Sequence, residues 1–264
     1  NNVENSRYAL TQGFTNYNAI NAFANYDFSI GKHDISIMGG YNQEESHKES
    51  QWSQRTDVLL ENLPSLSGST GTASVTDSFD EYAIRGLFYR VNYTYDGKYM
   101  FEANGRYDGT SRFPKDSRFG FFPSFSAGWR ISEEAFMKNT KSFLSNLKLR
   151  ASWGSIGNQI ILKPDNTPEN YPYIPSMSPY LTEWLVDGQK TTTLNAPAMV
   201  SSSFSWEKVY TLDFGVDFGF FDNRFNGTFD WYRRDTKDML APGAELPSVV
   251  GASAPLQNTA CLLY

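Results

Sequence analysis

The chain has 264 residues but only one cysteine, Cys261, and two histidines, His33 and His47. A single cysteine excludes an intrachain disulfide and leaves a thiolate metal site without enough ligands. No His/Glu motif surrounds either histidine. His33 falls in a tight turn and His47 in a polar loop, so both read as solvated rather than catalytic or metal-binding. No run of about eighteen apolar residues exists, which excludes a helical membrane span. Positive charge is in short supply: 23 Lys and Arg face 29 Asp and Glu, for a net charge of −6. Without a basic face to neutralise phosphates, nucleic acid is excluded as a partner. Gly154-Ser155-Ile156-Gly157 is followed by no helix that would hold a phosphate, so nucleotide binding is rejected. The acid pairs Glu44-Glu45 and Glu133-Glu134 are adjacent residues that point apart on a strand. Loop solvation and helix capping account for them without general acid–base chemistry. No catalytic, cofactor or metal residue is expected, and the chain is not read as an enzyme.

What the chain has in quantity is aromatic residues, 16% of the total, set in alternating patterns. Between Glu81 and Tyr107, Leu87, Tyr89, Val91, Tyr93 and Tyr95 share one strand face while Arg90, Asn92 and Thr94 take the other. After Asp96-Gly97, Tyr99, Phe101, Ala103, Gly105 and Tyr107 alternate with Lys98, Glu102, Asn104 and Arg106. Side chains alternate across a strand, so one face is aromatic and the other polar. The same pattern marks residues 20–30, 35–41, 125–131, 147–153, 210–220 and 225–231. About eight antiparallel strands result. Connections alternate short (31–33, 96–98, 132–146, 221–224) and long (42–80, 108–122, 155–205, and 235 onward). Membrane barrels segregate short periplasmic turns from long extracellular loops, and their strands alternate apolar-out and polar-in. The expected fold is therefore all-β, an antiparallel transmembrane β-barrel. A porin-like passive barrel and a soluble all-β glycan-binding module or enzyme are the alternative readings.

On the barrel reading, Arg90, Asn92, Glu102, Arg106, Asp213 and Asp217 are the candidate lumen residues. Asp213 and Asp217 are expected to pair with Arg224 across the last hairpin, with a lumen ion or sugar contact as the alternative. Trp52, Tyr171, Tyr173 and Trp184 are assigned to long loops, where they either stack on substrate or meet a partner, or simply pack the loops. Ser132 followed by two acids predicts a short helix over 132–146, with Ser132 as its N-cap.

Residues 92–158 carry ordered motifs: Asn92-Tyr93-Thr94-Tyr95-Asp96-Gly97-Lys98-Tyr99, Arg106-Tyr107-Asp108-Gly109-Thr110-Ser111-Arg112-Phe113, Gly120-Phe121-Phe122-Pro123-Ser124, Ala127-Gly128-Trp129-Arg130-Ile131, and Leu147 to Gly154 leading to Gly157-Asn158-Gln159. Trp206-Glu207-Lys208 and Tyr232-Arg233-Arg234 bracket the final hairpin. This series resembles the barrel of the SusC/RagA family of TonB-dependent outer-membrane transporters of Bacteroidetes. The resemblance implies a 22-strand barrel, an internal plug, a SusD-like surface lipoprotein and TonB-driven import of glycans or peptides. It implies a place in the cell outer membrane, against lipid, with no cofactor. Residues 1–264 contain no candidate plug, TonB box or signal peptide, so the expectation is a fragment of the barrel domain. Thr259 to Tyr264 are not expected to continue the strands.

Overall fold

Period-2 alternation over long stretches, punctuated by residues that tolerate positive φ, dictates long strands with tight reversals. A computed structural model, describing residues 6–163, 166–197, 199–201, 204–247, 249 and 254–263, shows them. The strands are β1 (Arg7–Ile30), β2 (His33–Thr56), β3 (Ala73–Tyr95), β4 (Tyr99–Thr110), β5 (Phe119–Arg130) and β6 (Leu144–Asn158). There follow β7 (Pro179–Val186), β8 (Gln189–Leu194), β9 (Glu207–Phe220), β10 (Phe225–Pro242) and β11 (Leu256–Leu263). Nine strands form one open sheet in the order β1-β2-β3-β4-β5-β6-β9-β10-β11, and β7 and β8 form a separate hairpin. Two compact units are distinguishable: residues up to 20 with 43–83, and 21–42 with 84 onward.

Several expectations are corrected. The sheet has nine strands rather than about eight, because Leu256–Leu263 does pair with β10, Ala241 facing Gln257. The 42–80 loop shrinks to 57–72, since β2 runs on to Thr56 and β3 begins at Ala73. The 108–122 loop shrinks to 111–118, and 155–205 contains the β7–β8 hairpin. His47 therefore lies on β2, where its Nε2 stands 2.9 Å from Glu49 Oε1. Residues 131–143 hold two 3₁₀ segments, Ile131–Glu133 and Ala135–Thr140, and Ser132 is buried rather than capping. The reason is geometric. A fifteen-residue α-helix would be about 22 Å long, whereas neighbouring strands lie about 5 Å apart. The connector must double back between the ends of β5 and β6, which pair through Arg130 and Lys148.

The tight reversals at 31–32, 96–98 and 221–224 still alternate with longer connections, but 111–118 is now shorter than 131–143, so the expected segregation by length holds only in part. At Asp96-Gly97 both residues have positive φ, 51° and 66°, the backbone that a two-residue hairpin reversal requires. Asp96 N–H donates to Lys32 O at 2.8 Å, and its carboxylate lies 2.9 Å from Lys32 Nζ and 2.8 Å from Lys98 Nζ. Hydrogen bonds from Lys98 and then Lys32 hold the Asp96 carboxyl below the usual carboxylate range.

Among the described residues, the buried hydrophobic cluster is confined to Phe113, Phe122, Ile161, Phe204 and Trp206. It gathers at the loop ends of β4 and β5, with Phe122 of β5 on the polar face opposite Arg106. Trp206 meets Phe113 and Phe122 edge-on at 5.5 and 5.0 Å, and its indole N–H donates to Arg118 O at 3.1 Å. Arg112 Nε donates to Asn170 Oδ1 at 2.7 Å, with both residues buried. The motif residues around 112–122 and 206 thus serve as loop-end packing.

Candidate functional site

The register sorts the side chains of β3–β10 onto two faces. One row of the aromatic face runs Tyr99, Trp129, Leu149, Val216 and Phe229, and the next Phe101, Ala127, Ala151, Phe214 and Trp231. On that face no charged side chain occurs from Leu87 to Tyr95, Tyr99 to Tyr107, Phe119 to Trp129, Leu147 to Gly157, or Tyr210 to Phe220. Charge returns toward the strand ends, with Arg85, Lys208, Arg233, Asp235 and Lys237. A tilted strand needs about 9–11 residues to cross a bilayer core, and these uncharged stretches match that length. The rings stack sideways across strands: Tyr99 on Trp129, Phe125 on Trp153, Trp153 on Tyr210, and Phe214 on Trp231, with centroids 6.0 to 6.3 Å apart. These side chains remain exposed, Phe101 at 45% and Phe214 at 48%. An apolar patch of this extent marks a face that meets another apolar phase.

The opposite face is polar and cross-linked. Arg90 Nε donates to Asn104 Oδ1 at 2.8 Å, and Asn104 Nδ2 donates to Glu102 Oε1 at 2.6 Å. Asn92 stands directly opposite Glu102 in the β3–β4 register. Arg106 grips Asp108 through Nε and Nη2 at 3.0 and 2.9 Å and lies over the Phe88 ring at 5.6 Å. Arg150 makes a bidentate pair with Asp217 at 2.9 and 3.0 Å and reaches Asp230 Oδ1 at 2.7 Å. Thr228 Oγ1 donates to the same Asp217 carboxylate at 3.2 Å. Charge-assisted bidentate pairing fixes both side chains and satisfies their donors and acceptors. A groove of about 800 Å³ runs along this face, lined by Arg90, Glu102, Asn104, Arg106, Ser124 and Ser152 among others. A second, of about 440 Å³, includes Asn92, Lys148, Arg150 and Asp213.

All six lumen candidates therefore lie on one face, but they do not converge on one point. Asp217 pairs with Arg150 on β6, not with Arg224, because β9 is inserted beside β6 and places Lys148 opposite Asp217 and Arg150 opposite Gly215. The face also includes Asn104, read as polar-facing from the sequence, and Asp108, Lys148, Arg150 and Asp230, which the candidate set left out. The same odd–even parity that selected Glu102 and Asp217 would have found them.

The loop aromatics divide differently. Trp52 lies on β2 and Trp184 on β7, neither in a loop, and Trp184 is 61% exposed. Tyr173 donates to Ser111 O at 3.2 Å and packs against the loop-end cluster, with Tyr171 edge-on at 6.3 Å. Tyr173 is a packing residue. Among the described residues no group of three or more His, Cys, Asp or Glu side chains is placed to hold a metal.

Comparison with known proteins agrees with this geometry. Residues 1–260 match the family model for the β-barrel of TonB-dependent receptor-like proteins. The chain is similar to TonB-dependent receptor SusC of Bacteroides thetaiotaomicron, 32% identical over 89% of this chain and 23% of that protein. It is similar to TonB-dependent receptor P26 of Formosa agariphila, 31% identical over 97% of this chain and 25% of that protein. The chain thus spans about a quarter of the length of the curated relatives it matches. The solved RagAB peptide importer in its 'open-open' state superposes with a TM-score of 0.82 at 24% identity, over 97% of this chain and 27% of that one. That likeness establishes the fold. A sheet with one aromatic face, charge-free over its central stretches, and one cross-linked polar face is matched along nearly its whole length by that family model: the chain belongs to the TonB-dependent receptor-like β-barrel family, with SusC among its relatives.

Proposed function

We propose that this chain forms part of the wall of a 22-strand outer-membrane importer, with the aromatic face toward lipid and the polar face toward the lumen. The observation that carries the reading is the uncharged aromatic face of bilayer-spanning length, backed by a polar face that holds charged side chains and the Arg106–Asp108 and Arg150–Asp217 pairs. An open sheet leaves β1 and β11 with unpaired edges, which hydrocarbon does not tolerate. The remaining strands and the plug are supplied by the rest of the full-length protein. Arg90, Asn92, Glu102, Arg106, Asp213 and Asp217 present hydrogen-bonding groups to a glycan or peptide oligomer passing the plug, and no covalent step occurs. The long connections, including the exposed Trp184 of β7, face a SusD-like lipoprotein outside, while TonB acts from the periplasm through the missing part. Substrate binding tests the functional half of the reading. Purified full-length protein is offered a pool of oligosaccharides and, separately, a pool of peptides. Retention of one pool, read by mass spectrometry, is expected. Retention of neither, by protein that fractionates with the outer membrane, overturns the import assignment.

A further inference from the structure

The connector between β5 and β6 carries features that barrel closure and substrate passage leave unused. Its carboxylate Glu134 accepts two hydrogen bonds from belt aromatics, Tyr99 OH at 2.5 Å and Trp129 Nε1 at 3.1 Å. At its far end Phe143 packs on Phe220 and Phe221, each with centroids 5.1 Å away, and Phe143 O accepts from Phe221 N–H at 2.9 Å. Both ends are thus fastened to the aromatic face of the sheet and not to the polar one. Between them, the 3₁₀ segment Ala135–Thr140 projects Phe136, 66% exposed, with exposed Lys138 two residues on and Lys141 paired to Glu133 at 3.0 Å. A large exposed ring followed by Lys138, with the nearby acids Glu133 and Glu134 engaged by Lys141 and by the belt aromatics, and continuous with an aromatic belt, has the composition of an interfacial anchor.

We infer that residues 131–143 form a lipid-binding foot, with Phe136 seated at the headgroup–acyl boundary of the leaflet on the short-turn side and Lys138 at the phosphate level. The inference rests on the membrane reading above and adds to it a second mode of lipid contact, parallel to the surface rather than across it. The foot ties the end of β5 to the bilayer plane, so the belt aromatics Tyr99 and Trp129 are held at a fixed depth through Glu134.

The test uses the full-length protein with its native cysteines replaced, Cys261 by serine, in vesicles of phosphatidylethanolamine and phosphatidylglycerol. Single cysteines at Phe136→Cys, Lys138→Cys and Phe214→Cys carry an environment-sensitive fluorophore. Quenching is compared for lipids bearing a nitroxide near the headgroup, lipids bearing it at the acyl-chain end, and aqueous iodide. The expected result is that the Phe136 probe loses most of its emission to the shallow lipid quencher and the Phe214 probe to the deep one. Lys138, at the polar rim, reports both the shallow quencher and iodide. If the Phe136 probe responds to iodide alone while Phe214 responds to lipid, the foot is wrong and the membrane reading stands. A Phe136 probe shielded from all three quenchers is covered by protein, which also overturns the foot. Failure of lipid quenching at Phe214 as well overturns the membrane reading itself.

Discussion

Replacing Phe214 by arginine separates a membrane wall from a water-facing sheet by energy. Phe214 is near the middle of the uncharged stretch of β9, opposite Ala151 on β6 and Trp231 on β10, with its ring 6.0 Å from that of Trp231. An arginine at the bilayer midplane of a barrel costs about 2–4 kcal/mol. Loss of the ring pair adds about 0.5–1.5 kcal/mol, so Phe214→Arg should destabilise by about 3–5 kcal/mol. Phe214→Leu removes only the ring pair and should cost about 1 kcal/mol. If the same face met water, a half-exposed site such as this one would lose little more than the ring pair, since exposed substitutions usually stay within about 0.5 kcal/mol. Asn104→Arg, on the polar face, forfeits the bond it accepts from Arg90 and the one it donates to Glu102, but sets its own guanidinium beside Glu102, and should cost about 1–2 kcal/mol. The assay is the shift in urea midpoint of the full-length protein in phospholipid vesicles, each variant against its parent. Equal midpoints for Phe214→Arg and Asn104→Arg would refute the orientation of the sheet.

Three further outcomes follow from particular contacts. Arg150→Lys keeps the charge but loses the fork that spans Asp217 and Asp230, and should lower the urea midpoint by the equivalent of about 1–2 kcal/mol; an unchanged midpoint would mean the network carries no stability. Gly157→Ala drives a Cβ into Phe122 Cζ, and that ring is wedged against Trp206, so the loop-end cluster must open at a cost of about 1–3 kcal/mol. Limited proteolysis should show faster cleavage within 159–206, and resistance equal to wild type would contradict the packing. Asp96→Asn removes charge while keeping a residue that tolerates the positive φ of 51°. The Asp96 pKa is depressed in the folded state, so its contribution is present above the unfolded carboxyl range and fades as pH falls through the lower folded value. Wild type and Asp96→Asn should therefore differ in urea midpoint at neutral pH and converge in acid, below about pH 4; a gap that widens in acid would show the opposite sign.

The sequence reading succeeded where the two faces of a strand meet different surroundings. From Leu87 to Tyr107 the contrast between tyrosine and charge is complete, and both faces and the Asp96-Gly97 reversal were legible. It failed where the contrast disappears. Residues 43–56 form a strand with Trp52 as the one large apolar side chain, so alternation leaves almost no hydropathy signal and they resembled a loop, while in 73–80 the row Ala73, Val75 and Phe79 is interrupted by Asp77. β11 is visible only through its pairing with β10. The connector's apolar residues fitted a helical stripe, yet the spacing of adjacent strand ends leaves no room for a helix, and Glu134 is engaged by Tyr99 and Trp129. The partner of Asp217 was sought in its own hairpin, whereas Arg150 lies 67 residues away and reaches it only because β7 and β8 leave the sheet.

The central claim is that β4 has one face in lipid and one in an aqueous lumen, and a cysteine scan from Phe101 to Asp108 tests it residue by residue. Each variant of the full-length protein, in lipid vesicles, is treated with a membrane-impermeant maleimide and, separately, with a lipid-dissolved photoreactive probe. Phe101, Ala103, Gly105 and Tyr107 should take the lipid probe, while Glu102, Asn104, Arg106 and Asp108 should take the maleimide. Maleimide labelling of both sets alike, or the opposite phase, would contradict the account.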